Sequence, residues 1–143
     1  MTRAQIREDI FKLLFRIEFN SQEDMPSQIA HFFENVQIGD AEEGAHLIPE
    51  EDAEYIREKY ERIAERIPEL DAMIDAAAKG WKVTRLGKVD LTILRLAAYE
   101  MKYDEDIPVG VAINEAVELA KKFGQDESPA FINGILAKLA SDE

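Results

Sequence analysis

The segment from Ile107 to Leu139 constrains the fold more than any other part of the chain, because its pattern predicts two helices joined by a short acidic turn. Pro108 stands in a first turn, where proline is tolerated, and apolar residues then recur every three or four positions until Gly124 ends the helix. Ser128 is placed to cap the second helix with its hydroxyl, and Pro129 falls at the first helical position. Two such amphipathic helices must bury their apolar faces against other elements.

The same helical periodicity occurs in the rest of the chain, and no stretch alternates as a strand would. The sequence therefore predicts an all-α fold of about seven helices. A polar, glycine-interrupted segment at residues 38–52 is predicted to be a loop. The other helices are expected at about residues 3–19, 26–38, 50–66, 68–79 and 90–103.

The helix predicted at residues 90–103 is apolar on nearly every side, so we expect it at the centre of a helical bundle. A charge carried into that environment is tolerated only when it is paired and hydrogen-bonded. Arg95 is therefore expected to contact a carboxylate, with Glu115 or Asp90 as the candidate partners.

The sequence lacks the usual catalytic and metal-binding patterns. It has no cysteine, no glycine-rich phosphate loop and no serine in a nucleophile elbow. Glu100, Glu115 and Glu118 are the carboxylates to consider as metal ligands or as an acid–base pair, but a di-iron bundle needs Glu-x-x-His motifs and no histidine follows His46. Neither His46 nor His31 has neighbours at ligand spacing. We therefore expect no metal, no cofactor and no enzymatic activity.

The amino-terminal segment MTRAQIREDIFKLLF carries acidic residues within its apolar run and lacks a small-residue cleavage site, so it predicts a structural helix and not a signal peptide. No apolar run is long enough to span a bilayer. The lack of cysteine gives no reason to expect an oxidising compartment. We expect a cytoplasmic protein that does not enter the membrane.

The formal net charge of −13 disfavours nucleic-acid binding, but this charge is unevenly distributed. Residues 21–80 carry five basic and sixteen acidic side chains, residues 1–20 carry four basic and three acidic, and residues 81–103 carry five basic and two acidic. Phosphate contacts depend on the local potential, which salt screens over about 10 Å. A weakly basic face on an acidic body is therefore compatible with RNA binding.

The first predicted helix carries four basic residues and an aromatic residue of interest. Lys12 and Arg16 lie opposite its apolar face and are predicted to be solvated. Arg3 and Arg7 lie one turn apart near the free end, where they could reach RNA or remain ordinary surface charges. Phe15 lies at the edge of the apolar sector, so its ring could stack on an unpaired base or belong to the core.

The carboxy-terminal part of the chain resembles the NusB family of bacterial transcription antitermination proteins. The segments AINEAVELAKKFG and SPAFINGILAKLA, preceded by DLTILRLAAYEM and DIP, carry this resemblance almost continuously from Leu86 to Ala140. The resemblance implies two small helical bundles packed together, one formed by residues 1–79 and the other by residues 80–143.

The same resemblance implies a function. A NusB-like protein is expected to bind the boxA element of nascent ribosomal RNA transcripts, to form a heterodimer with NusE, a small-subunit ribosomal protein, and to join an antitermination complex on RNA polymerase. In the family, basic residues near the amino terminus and an aromatic residue in the first helix, here Phe15, belong to the RNA-binding face. The aromatic residue before the Asn-Gly pair, here Phe131 before Asn133 and Gly134, contacts RNA.

These considerations place the RNA site at the junction of the first and last helices. Phe131 lies just after the start of the last helix, where unpaired backbone N–H groups and the helix dipole favour a phosphate. Its ring could equally pack in the core. Glu127 lies beside it and would repel a phosphate. The candidate RNA-binding residues are Arg3, Arg7, Phe15, Lys121, Ser128 and Phe131.

A second function remains open from the sequence. The thin basic patch also fits a protein-interaction module, either a homodimer whose RNA face is occluded or a free-standing relative of the NusB-like domain that is found attached to some RNA methyltransferases. The long carboxy-terminal match favours the antitermination factor.

Overall fold

In the computed structural model, which describes residues 1–37, 48–79 and 86–141, every regular element is helical. The expected all-α class is therefore confirmed for these residues, whereas most of the predicted loop at residues 38–52 lies outside them. None of the described helices is both long and apolar enough to cross a membrane. In chain order the elements are α1 (Arg3–Phe15), a 3-10 helix (Arg16–Phe19), α2 (Met25–Gln37), α3 (Glu50–Glu65), α4 (Ile67–Ala77), α5 (Lys88–Tyr103), α6 (Val109–Phe123) and α7 (Ser128–Ser141).

The chain divides into two compact units, Met1–Arg62 and Ile63–Glu143. The boundary that we expected at residue 79 lies one helix too late. The reason is that α4 packs against α5 and α7, so it belongs to the second unit.

The first unit begins with a capping box. The Thr2 hydroxyl accepts a hydrogen bond from the Gln5 backbone N–H at 3.1 Å, and the Gln5 side chain accepts one from the Thr2 N–H at 2.8 Å. The α-helix ends at Phe15, and the chain continues as the short 3-10 helix. The buried apolar side chains of this unit are Ile10, Phe11, Leu13, Leu14, Met25, Phe32, Phe33, Ile48, Ala53, Ile56 and Tyr60.

The basic residues that follow in α1 and the 3-10 helix differ in environment. Lys12 is exposed and pairs with Glu8 at 3.3 Å, as expected of a solvated face. The prediction for Arg16 is wrong in part, because its guanidinium is partly buried: Nη1 donates to the backbone oxygen and to Oε1 of Gln28 at 3.2 and 3.0 Å. The guanidinium also lies 5.4 Å from the centre of the Phe32 ring, so Arg16 ties the end of α1 to α2.

The second unit is organised around α5, which contacts α4, α6 and α7. Every residue from Leu91 to Met101 is buried, which confirms the expectation that this helix is central. A helix that contacts three others can be apolar on most of its circumference, as the sequence of α5 is. Its neighbours supply Leu70, Ile74, Ala112, Ala116, Leu119, Ala120, Ile132, Ile135, Leu136 and Leu139 to the core.

Arg95 carries a positive charge into this core, and α4 supplies the carboxylate that holds it. Nε donates to Oδ1 of Asp71 at 2.8 Å and Nη2 to Oδ2 at 2.9 Å, a bidentate ion pair. The expectation that Arg95 contacts a carboxylate is confirmed, but the carboxylate of this bidentate pair is Asp71 and neither of the candidates, Glu115 and Asp90. Placing α4 in the second unit brings its carboxylate to the guanidinium.

A second link joins α4 to α5 at the surface. The Arg66 guanidinium lies 4.1 Å from the centre of the Tyr103 ring and pairs with Glu69 at 3.1 Å. The Tyr103 hydroxyl donates to the same carboxylate at 3.2 Å. This exposed group adds modestly to the attachment that Asp71 provides.

We predict that Arg95→Ala lowers the free energy of unfolding by about 3 kcal/mol, because it leaves the Asp71 carboxylate without its partner. The value lies at the low end for buried pairs, since 24% of the Asp71 side chain is exposed. Urea denaturation measures the loss, and Arg62→Ala, at an exposed position of α3, serves as the control with a loss well under 1 kcal/mol. Equal losses in the two variants would show that the ion pair contributes nothing.

Candidate nucleic-acid interface

The candidate residues of the first unit lie on α1, and they are not equally accessible. Arg3 is exposed at the start of the helix. Arg7 is only 8% exposed, so of the two arginines that we considered as RNA contacts near the amino terminus only Arg3 points to solvent. Arg7 lies one turn after Arg3, where the helix is already covered by other parts of the chain, which the local pattern of the sequence did not reveal.

Phe15 is half-buried and belongs to a row of three rings. Its ring is stacked on that of Phe11 with centres 5.9 Å apart, and it meets the ring of Phe19 edge to face at 5.0 Å. Phe11 is buried, whereas Phe19 is 60% exposed. The row of rings therefore runs from the buried Phe11 to the exposed Phe19, and helical periodicity did not indicate Phe19 as its outer member. The available signal was the four-residue spacing of Phe15 and Phe19 before Asn20.

The candidate residues of the second unit surround the turn between α6 and α7. The Ser128 hydroxyl accepts a hydrogen bond from the Gln125 backbone N–H at 3.0 Å, and the Ser128 N–H donates to the Gln125 carbonyl at 3.0 Å. The expected capping role is therefore wrong: Ser128 is the first residue of α7, and its buried hydroxyl closes the preceding turn. Ser128 therefore holds the turn between α6 and α7 in place from a buried position.

Glycine is required at position 124 because the turn has no room for a side chain, and not because the backbone dihedral angles exclude other residues. Its φ of −92° is available to any residue. A Cβ atom at this position would come within 2.6 Å of the Ser128 Cβ, 2.7 Å of its Oγ and 2.8 Å of the Ala120 carbonyl oxygen. The absence of a side chain at Gly124 thus permits the close connection of α6 to α7.

The start of α7 offers fewer backbone donors to a phosphate than we expected. The Ser128 N–H is used by Gln125, Pro129 has none, and the Phe131 N–H donates to the Glu127 carbonyl at 3.1 Å. At most the Ala130 N–H remains in the first turn, together with the positive end of the helix dipole. Anion binding here must therefore depend on side chains.

Lys121 is the candidate cation of the second unit, and 59% of its side chain is exposed in the last turn of α6. Its Nζ lies 3.2 Å from Oε1 of Glu118, which is also largely exposed. Such an exposed pair is weak, so a phosphate can compete with Glu118 for the ammonium group. Phe131, three residues into α7, is half-buried.

Comparison with known proteins identifies the family of the chain. The model of the NusB family matches residues 4–141. The transcription antitermination protein NusB of Agathobacter rectalis is 49% identical over 140 residues, which cover 98% of this chain and 100% of that protein. The chain belongs to the NusB family. The NusB protein of Lachnoclostridium phytofermentans is 44% identical and covers 97% of this chain and 98% of its own length.

Solved NusB structures share the fold. NusB from T. maritima matches with a TM-score of 0.82 and 34% identity, covering 100% of this chain and 93% of that chain. A chain from the crystal structure of the antitermination factors NusB and NusE in complex with dsRNA matches with a TM-score of 0.80 at 21% identity, covering 100% of both, and this similarity concerns the fold.

These similarities confirm the resemblance that the sequence carried. The relatives are transcription antitermination proteins matched over nearly their whole length, so the alternative of a pure protein-interaction module is not favoured. They are named for a role in transcription and not for a catalysed reaction, in agreement with the expectation that this NusB-family chain is not an enzyme.

We predict that two alanine substitutions at glycines will have opposite effects on stability. Gly124→Ala should lower the free energy of unfolding by about 1–3 kcal/mol, because the Ala120 carbonyl cannot easily move away from the added methyl group. Gly134→Ala should raise it by about 0.5–1 kcal/mol, since Gly134 is exposed within α7 and nothing lies within 4 Å of the added atom. Denaturant midpoints compare the two, and a stable Gly124→Ala variant would contradict the close packing of the turn.

Proposed function

We propose that this protein is a cytoplasmic transcription antitermination factor that binds the boxA element of nascent ribosomal RNA as a heterodimer with NusE, within an antitermination complex on RNA polymerase. Membership of the NusB family across residues 4–141 is the observation that carries the proposal. The named homologues are antitermination proteins of similar length, so the inference concerns the whole chain and not an isolated domain.

The charge of the chain supports the proposal that its RNA binding depends on NusE. The net charge is −13, and of the two arginines expected near the amino terminus only Arg3 faces outward. Binding to single-stranded nucleic acid gains affinity from each phosphate that a cation neutralises. A protein with this net charge and so few exposed cations among its candidate RNA-binding residues binds RNA weakly by itself, and a basic ribosomal partner supplies the missing contacts.

Within the chain, we assign different roles to the candidate residues. Arg3 and Lys121 are exposed cations and contact phosphate, while Phe15 and Phe131 offer partly accessible rings to bases. Ser128 is buried and keeps the α6–α7 turn closed, so that its effect on RNA is indirect. Arg7 is buried and is not part of the proposed contact set.

We predict that boxA RNA binds more tightly to the mixture with NusE than to this protein alone, and that its salt dependence is steeper in the mixture. Each additional phosphate contact adds about 0.7 to the slope of log affinity against log salt for a single strand. Fluorescence anisotropy with labelled boxA RNA at several salt concentrations measures both quantities. A scrambled RNA of the same length serves as the control for non-specific charge effects.

Equal affinity of boxA RNA for the protein alone and for the mixture would contradict the proposed role of the partner. Equal affinity of the mixture for boxA and for the scrambled RNA would contradict specific recognition.

We also predict that Glu127→Gln strengthens RNA binding by about two- to fivefold while slightly lowering stability. The exposed carboxylate repels phosphate at the start of α7, but it also interacts favourably with the helix dipole. Glu105→Gln removes the same charge from an exposed position in the α5–α6 connection. The 15 residues of α6, about 22 Å of helix, separate the two positions along the chain, so this control should leave affinity nearly unchanged.

The comparison uses RNA affinity in the presence of NusE together with thermal melting of each variant. If both variants strengthen binding to the same extent, the effect comes from net charge, and Glu127 is not next to the RNA.

A further inference from the structure

Phe19 is an exposed aromatic residue whose position the core of the protein does not explain. It is 60% exposed, more than any other large hydrophobic residue that the structure describes; the next is Tyr55 at 45%. Single exposed apolar residues are common on protein surfaces, so exposure alone carries no inference. The structure around Phe19 is what distinguishes it.

Side-chain hydrogen bonds of Asn20 and Arg16, the residues at the two ends of this turn, hold the backbone around Phe19. The Asn20 side-chain amide donates to the Arg16 carbonyl at 2.8 Å, which closes the 3-10 helix. The Arg16 guanidinium in turn is held by Gln28 and by the face of the Phe32 ring. Phe19 is therefore presented to the surface from an anchored turn and not from a loose segment.

The ring of Phe19 is also oriented by its neighbour. Phe15 meets it edge to face, with ring centres 5.0 Å apart and an angle of 72° between the planes. Phe15 is itself stacked on the buried ring of Phe11. The core therefore holds the Phe15 ring, and the Phe15 ring in turn orients that of Phe19. An anchored and oriented aromatic ring suits a flat ligand, because little conformational entropy is lost on binding.

The charges near Phe19 indicate which part of an RNA strand it fits. Glu18 precedes it, and Glu23 and Asp24 follow in the next turn of the chain. These carboxylates disfavour a phosphate at this place, whereas base stacking depends on the ring face and does not require a cation. On α1 itself the exposed cations are Arg3, in the first turn, and Lys12, in the last turn, where it pairs with Glu8.

We propose that Phe19 stacks on an unpaired base of the bound RNA and forms, with Phe15, a two-ring platform at the end of α1. The proposal rests on the proposed function, since it extends the RNA contact of Phe15 to a residue further along the chain. A protein partner that covers Phe19 with an apolar side chain is the competing occupant. Continuity with Phe15 favours the base, and the experiment below separates the two.

The test compares Phe19→Ala and Tyr55→Ala in binding boxA RNA in the presence of NusE. Tyr55 is the matched control, an exposed aromatic residue of the same unit that lies on α3. Loss of one stacked base weakens binding by about five- to a hundredfold, so we expect that loss for Phe19→Ala and almost none for Tyr55→Ala. The salt slope should remain unchanged in both, because no phosphate contact is removed.

A second variant gives a direct signal of stacking. Phe19→Trp, made in a Trp81→Phe background so that it carries the only tryptophan, should retain affinity. Its fluorescence should be quenched when boxA RNA is added to the complex already formed with NusE. A merely structural role for Phe19 would produce no such quenching, and thermal melting of each variant confirms that the fold is intact.

The outcomes separate the possible failures. If the unmodified protein binds boxA RNA with NusE but Phe19→Ala binds equally well, the stacking role is overturned and the proposed function stands. If Phe19→Ala weakens binding to NusE measured without RNA, the ring belongs to a protein interface and the stacking role is again overturned. If the unmodified protein and NusE together do not bind boxA RNA, the proposed function fails, and the assignment of Phe19 fails with it.

Discussion

The arrangement of the second unit depends on the burial of α5 from Leu91 to Met101. A helix with no solvent face gains stability on all sides, but it forces any charge within it to find a partner inside the fold. Arg95 meets that demand through Asp71, and the bidentate geometry fixes α4 against α5 in one register. The same burial requires α6 and α7 to lie on α5, where they also pack against each other.

The candidate interface is built on that packing. The turn at Gly124 and Ser128 is too tight to admit a side chain, so the end of α6 and the start of α7 keep a fixed spacing. Lys121 and Phe131 project from these two helix ends. Rigid positioning is important for a surface with few cations, because each available contact must be made without a large entropy loss.

Local patterns were sufficient for the helices but not for the contacts between them. Periodicity, proline and glycine predicted the seven α-helices of the described residues to within a few positions. The motif between Leu86 and Ala140 indicated the family. The bidentate partner of Arg95 could not be predicted, because Asp71 lies on another helix and the sequence pattern does not specify which helices pack together. The burial of Arg7 and the attachment of Arg16 likewise depend on neighbours that helical spacing does not specify. The exposure of Phe19 could not be predicted from α-helical spacing, because the chain changes from an α-helix to a 3-10 helix at Arg16.

The inward position of Arg7 has a consequence for competition within the cell. Non-specific attraction to RNA comes almost entirely from cations that displace counterions from phosphates, and a guanidinium inside the protein does not take part. Under the proposed function, the free protein would spend little time on the large pool of unrelated transcripts and would remain available to NusE. Selectivity would then arise before any base is read, through the order in which the complex assembles.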